Sequence, residues 1–237
     1  SATNNPTLTG DVTWNSLTIQ ANGTLVGNAS YTLTIDGEAD GTGVTTDGYA
    51  VNIDGIIGTL LNLTITTAAT TLIDLVGTSG NIRTLTINMS TGNCEYIGAT
   101  TLTGDLIITD GTFRYNSFKN ITVNGDVSIA DGAVLGHHNV RDTVDYTFGS
   151  LTIESGGTYS ATSGTTTITD RIPGDKSLEN NGAFTHNKGT VLFNGASDQL
   201  LQMAGTGNLY NCTINKSDSD VAFYGNVTFE NNLDVTL

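Results

Sequence analysis

The residues with most chemistry to offer are carboxylates that recur at one interval. Asp105 and Asp126 each follow a glycine, in "GDLIITDGTFR" from Gly104 and "GDVSIADGAVL" from Gly125, and Asp110 and Asp131 repeat the same 21-residue step inside those segments. If residues one step apart stand above one another, Asp105 lies beneath Asp126 and Asp110 beneath Asp131. Stacked carboxylates can ligate Ca²⁺ through oxygen, or divide acid and base roles as a glycosidase pair. Turn formation is a third account, because Asp-Gly is a favoured turn dipeptide in its own right. The calcium-binding nonapeptide, with glycines and aspartates in strict phase, is absent. His137-His138 also has ligand chemistry, but neighbours on an extended backbone point to opposite sides and no third ligand follows at a metal-site spacing.

Other reaction classes find no residues to carry them. The chain has no GxSxG, no HExxH, no phosphate-cradling glycine loop and no Cys/His nucleophile pair. Its two cysteines, Cys94 and Cys212, belong to no CxxC or Cys/His cluster, and Cys212 alternates with Ile214 as a small inward hydrophobe would. The sequence therefore reads more readily as a non-enzyme than as an enzyme. No cofactor is expected, Ca²⁺ at the four aspartates being the one such group they would admit.

Short strands must position these residues. Triplets such as "SLTIQ", "TLTID", "NLTIT", "TLTIN", "DVSIA" and "NCTIN" place apolar side chains two apart, which on a strand puts them on one face with Thr, Ser or Asn on the other. Many run into Asn-Gly, Asp-Gly or Gly-Gly turns. Thr, Asn and the 29 glycines are poor helix formers, and only 13% of residues are charged. From Leu63 the apolar positions recur at Leu85, Leu106, Val127 and Leu151, a repeat too short to bury its own apolar face without stacking on its neighbours. The expected fold is all-β, a right-handed parallel β-helix or β-solenoid, with Leu106, Val127 and Leu151 in one interior ladder. An antiparallel β-sandwich is the runner-up, since evenly spaced short strands also suit it.

Residues 1–188 read as solenoid coils with loops at 136–148 and 170–188, where the regular pattern lapses and the histidines gather. Residues 189–237 continue the solenoid with longer repeats, and "ENNLDVTL" ends within a strand pattern, as a chain truncated at its C-terminus or capped by a partner would. Loops on a rigid scaffold are where binding concentrates. Tyr146, Phe148, Phe184 and His186 are the candidates there, their flat rings suiting a sugar face. Pairs Thr32/Thr34, Thr64/Thr66, Thr84/Thr86, Thr101/Thr103 and Thr165/Thr167 could form a water-ordering face, but their spacings along the chain keep no single phase.

A formal charge of −15 and a pI near 4.1 exclude attraction to nucleic acid or anionic membrane. No apolar run is long enough to span a bilayer, so membrane insertion is not expected. The "GDLxIxDGT" rungs, the looser "SLTIESGGT" at 150 and the "GTVLFNGASDQLLQMAG…NLYNCTINKS" unit from 189 resemble the β-helical repeats of bacteriophage tail fibres and tailspikes and of secreted bacterial adhesins. The resemblance implies a structural or adhesive shaft at an extracellular or virion surface. Its partners would be host-surface polysaccharide or other virion proteins, and it would be a homotrimer in the phage case. Two alternatives stand beside it: a polysaccharide depolymerase or lyase on a β-helix, and a bacterial surface adhesin.

Overall fold

The computed structural model describes residues 5–37, 49–67, 70–75, 81–98, 100–115, 120–137, 143–170 and 176–236. Among them there is no helix, and every strand pairing is parallel. The chain winds into a β-solenoid of about nine turns. This excludes the sandwich, in which Leu106 and Val127 would face each other across two layers. They are instead register partners on adjacent coils.

One ladder runs the length of the molecule. Val12 pairs with Leu33, then Leu63, Leu85, Leu106, Val127, Leu151, Leu178, Leu201 and Phe223, each on the coil above the last. Leu63, Leu85, Leu106, Val127 and Leu151, the positions whose recurrence marks the repeat, are five consecutive rungs of it. A second ladder carries Cys94, Phe113, Leu135, Tyr159 and Phe184. A third carries Leu102, Val123, Phe148, Ile168, Phe193, Ile214 and Val235. Inward side chains of all three meet in one apolar core.

The corners explain why "DG" recurs. Strand Asp105–Tyr115 bends from the first ladder to the second through Asp110 and Gly111, where its register with the coil below shifts. Gly111, Gly132 and Gly156 have φ of 81°, 76° and 86°, left-handed values that a side chain disfavours. They occupy the equivalent corner of successive coils. Gly156 adds a contact argument: a Cβ there would meet the Asp131 carboxylate at 1.8 Å.

The core changes character along the axis. Leu33, Ile35, Val51, Ile53, Ile57, Leu63 and Ile65 fill the lower coils, whereas the middle coils bury a chain of rings. Tyr96 stacks on Tyr115 at 5.3 Å, Tyr115 meets Tyr146 edge-on at 6.4 Å, and Tyr146, Phe148, Tyr159 and Phe184 continue at 5.7, 6.2 and 5.4 Å. Aromatic pairs at these separations add directional attraction to their large buried area.

Candidate functional site

The aromatic residues expected to bind sugars are distributed between interior and surface. Tyr146 and Phe148 lie in strand Tyr146–Ile153, each 1% exposed, and Phe184 in strand Ala183–Thr185 is 3% exposed. All three belong to the ring column, so their faces are already covered by protein. Strands Leu178–Asn180 and Ala183–Thr185 and parts of Val134–His137 and Tyr146–Ile153 fall within the stretches expected as loops. His138 and residues 139–142 and 171–175 lie outside the described residues. His137 is buried against Tyr115 at 5.7 Å.

His186 alone of the four stands at the surface, and it has company. The turn after it places Asn187 and Lys188 at φ of 45° and 64°, and Asn187 holds that turn by donating to the Ser160 hydroxyl at 3.1 Å and the Ala161 carbonyl at 2.7 Å. His186 Nδ1 accepts the Lys188 amide at 2.9 Å, which leaves the proton on Nε2 facing Glu230 Oε2 at 3.2 Å. The Tyr210 ring stacks on the imidazole at 5.3 Å, and Asn208 Nδ2 donates to Glu230 Oε1 at 3.1 Å. Three successive coils thus contribute to one column. Both ring nitrogens of His186 are engaged, Nδ1 by the Lys188 amide and Nε2 by Glu230, so the column is held together by its own contacts.

Asn208 also borders a groove of about 680 Å³. It is lined by Gln202, Asn208, Asn226 and Tyr224, the last 63% exposed, with Gly205, Gly207 and Gly225. Gly205 and Gly207 stack closely on the coil below. A Cβ on Gly205 would meet the Gly182 carbonyl oxygen at 2.1 Å, and one on Gly207, where φ is 100°, the Phe184 carbonyl oxygen at 1.9 Å. Neutral amides, one open aromatic face and exposed backbone are groups that hydrogen-bond hydroxyls and cover an apolar ring face. Sequence reasoning missed Tyr210, Tyr224 and Glu230 because each lies in a strand with ordinary alternation. Its available signal was position: Tyr224 follows Gln202 on the outward register of the long ladder.

Asp105 does stand beneath Asp126, and one oxygen of each is engaged. Asp105 Oδ1 accepts the Asp126 amide at 2.9 Å, and Asp126 Oδ1 accepts the Ser150 hydroxyl at 2.7 Å. The same device recurs from coil to coil: Asp11 to the Thr32 amide, Asn120 to Asp145, Asp145 to Thr165 and Asp198 to Asp220, all between 2.7 and 3.1 Å. Each satisfies a strand-leading N–H of the next coil. Asp110 accepts the Gly111 amide at 2.8 Å, and Asp131 packs on Gly156. No group of three or more metal-ligating side chains occurs among the described residues.

Three buried ionisable groups complete the picture. Burial pushes the Cys94 thiol well up, the nearby Glu95 carboxylate adding to the shift, and burial alone pushes Cys212 up to about 12. Both thiols are free, and neither is activated. Lys216 Nζ donates to the carbonyls of Gly195 and Ser197 at 2.6 Å and to the Ser219 hydroxyl at 3.0 Å. Desolvation lowers its pKa against the opposing pull of Asp198 and Asp220. The lysine clamps a corner and takes no part in the groove.

No family model matches this chain, and neither a curated protein nor a solved structure matches it. The class of molecule it defines is a parallel β-solenoid with a polar, aromatic-bordered groove near its last coils.

Proposed function

We propose that the chain is a structural and adhesive shaft segment of an extracellular or virion appendage, and that it contacts host-surface glycan through the groove around Tyr224, Asn208, Asn226 and Gln202. The observation that supports it is the unbroken ladder from Val12 to Phe223. Each rung is hydrogen-bonded to the next, so a pull along or across the axis is shared by many parallel strands and one continuous core. An appendage of a bacteriophage tail or of a bacterial surface has use for such a rod. Asp105 and Asp126, the acids the depolymerase alternative would use, each give one oxygen to a donor of the next coil, an amide and a hydroxyl, which favours adhesion over cleavage at that pair.

The test is retention of the purified chain on immobilised bacterial surface polysaccharides, with polymer length measured in parallel. Binding that falls about tenfold in Tyr224→Ala, for the loss of one stacking face of ~1.4 kcal/mol, with polymer length unchanged, is the expected result. Shortened polymer, or no retention on any surface glycan, overturns the proposal.

A further inference from the structure

The register brings together threonines that the chain spacing keeps apart. Thr101 pairs with Thr122, Thr122 with Thr147 and Thr147 with Thr167, four successive rungs on the outward side of the third ladder; Leu192 and Thr213 continue the column. The loops between them differ in length, which is why the phase is invisible along the sequence. Thr165 flanks Thr167 on its own strand, and Thr103 flanks Thr101. The rows are spaced by about 4.8 Å along the axis, and positions two apart on a strand by about 6.6 Å. The result is a two-dimensional array of hydroxyls and methyls.

These hydroxyls are uncommitted. Thr66, Thr109 and Thr169 turn their Oγ1 back to the carbonyls of Ile35, Ile87 and Phe148 on the coil below. Thr122, Thr147 and Thr167 make no such bond and are partly exposed. The outward rung positions carry no charge; among the described residues Asp145 and Asp170 lie at the edge of the face, one Asp145 oxygen engaged by the Thr165 amide at 2.7 Å. A comparable column, Thr13, Thr34, Thr64 and Thr86, lies on the outer side of the first ladder. It is bordered by Asp36, Asp105 and Arg83, whose guanidinium reaches the Ala29 carbonyl at 2.9 Å.

We infer that the Thr101–Thr122–Thr147–Thr167 face binds the surface of ice. Among the described residues no aromatic ring stands on the outward side of these rungs, so they offer no platform for a sugar. What it has is periodicity in two directions, and a periodic array is complementary to a periodic surface. Water held between the methyls and bonded to the hydroxyls takes up the strand spacing, which is close to the spacing of oxygen rows in ice. The outward positions of the four rungs are themselves uncharged, so the water layer over them is not interrupted by a hydrated ion at its centre.

The purified chain is tested by partition into a slowly growing ice hemisphere and by thermal hysteresis, beside Thr147→Tyr/Thr167→Tyr, Thr122→Val/Thr147→Val and Thr64→Tyr/Thr86→Tyr. The Val pair keeps strand propensity, so it retains the fold even if the Tyr pair does not. The expected result is enrichment of the parent chain in ice, hysteresis lost to buffer level in the Thr147/Thr167 Tyr pair, clearly reduced in the Val pair, and unchanged in the Thr64/Thr86 pair. Exclusion of the parent chain from ice to the level of serum albumin overturns the inference. So does equal loss in the Thr64/Thr86 pair, full retention in the Val pair, or retention of the chain on cellulose or chitin without partition into ice.

Discussion

The last coil and the one beneath it carry the same inward positions with opposite outcomes. Leu201 and Cys212 are fully buried; their register partners one coil higher, Phe223 and Leu233, are 40% and 42% exposed, and Val235, above Ile214, is 57% exposed. Sequence character does not separate them, since Phe, Leu and Val are as apolar as what they cover. The difference is a neighbour. In a solenoid an inward side chain is buried by the coil above as much as by its own turn, so apolar area removed from water accumulates between coils and not within them.

The largest effect that would break this comparison comes from shortening a phenylalanine in each environment. Phe193, fully buried between Ile168 and Ile214, and Phe223 occupy inward rungs of two ladders. Phe193→Ala is expected to cost about 3–5 kcal/mol and Phe223→Ala less than about 1 kcal/mol. Urea unfolding midpoints followed by circular dichroism measure both. Equal losses would mean that the last coil is as well covered as the interior.

A smaller effect sharpens the comparison through hydrogen bonds. Asp105 and Asp198 each accept a backbone amide of the next coil, at 2.9 and 3.0 Å, the first partly buried and the second exposed. Asp105→Ala strands an amide away from water and is expected to cost about 1–2 kcal/mol, whereas water replaces the acceptor in Asp198→Ala at a few tenths of a kcal/mol. Hydrogen exchange at the Asp126 and Asp220 amides resolves the two: opening accelerates strongly at the first and little at the second.

The smallest effect is read at Cys212, which Leu233 covers. Its folded pKa of about 12 lies above the unfolded value of 9.0. A raised folded value means that this contribution to stability is fully present below pH 9 and is lost as pH rises through about 12. Native Cys212 should therefore react with a disulfide reagent far more slowly than the urea-unfolded chain at pH 8, and Leu233→Ala should raise the native rate several-fold. A native rate equal to the unfolded one contradicts the burial.

Much of the architecture was legible because the same physics acts on every coil. Leu63, Leu85, Leu106, Val127 and Leu151 repeat since each must face the same core, and Asp-Gly repeats since each corner needs a left-handed residue, as at Gly111 and Gly132. The stacking of Asp105 beneath Asp126 was legible for the same reason. Its consequence was not, because whether a carboxylate meets an ion or a neighbouring amide depends on where the next strand's N–H points. Tyr146, Phe148 and Phe184 misled for a related reason. They sit beside irregular sequence, and irregular sequence reads as loop, yet these three rings are buried in the core.

The sequence by itself determined the local alternation, the turns and the repeat that requires stacking, all properties of residues a few positions apart. Tertiary structure alone decided which side chains became neighbours across coils: the ring column from Tyr96 to Phe184, the His186, Tyr210 and Glu230 contact, and the threonine array. The reason is that the walls keep register from coil to coil while the number of residues between equivalent positions changes, 21 from Thr101 to Thr122 and 25 from Thr122 to Thr147. Distance along the chain can therefore vary from coil to coil while distance in space stays one strand spacing.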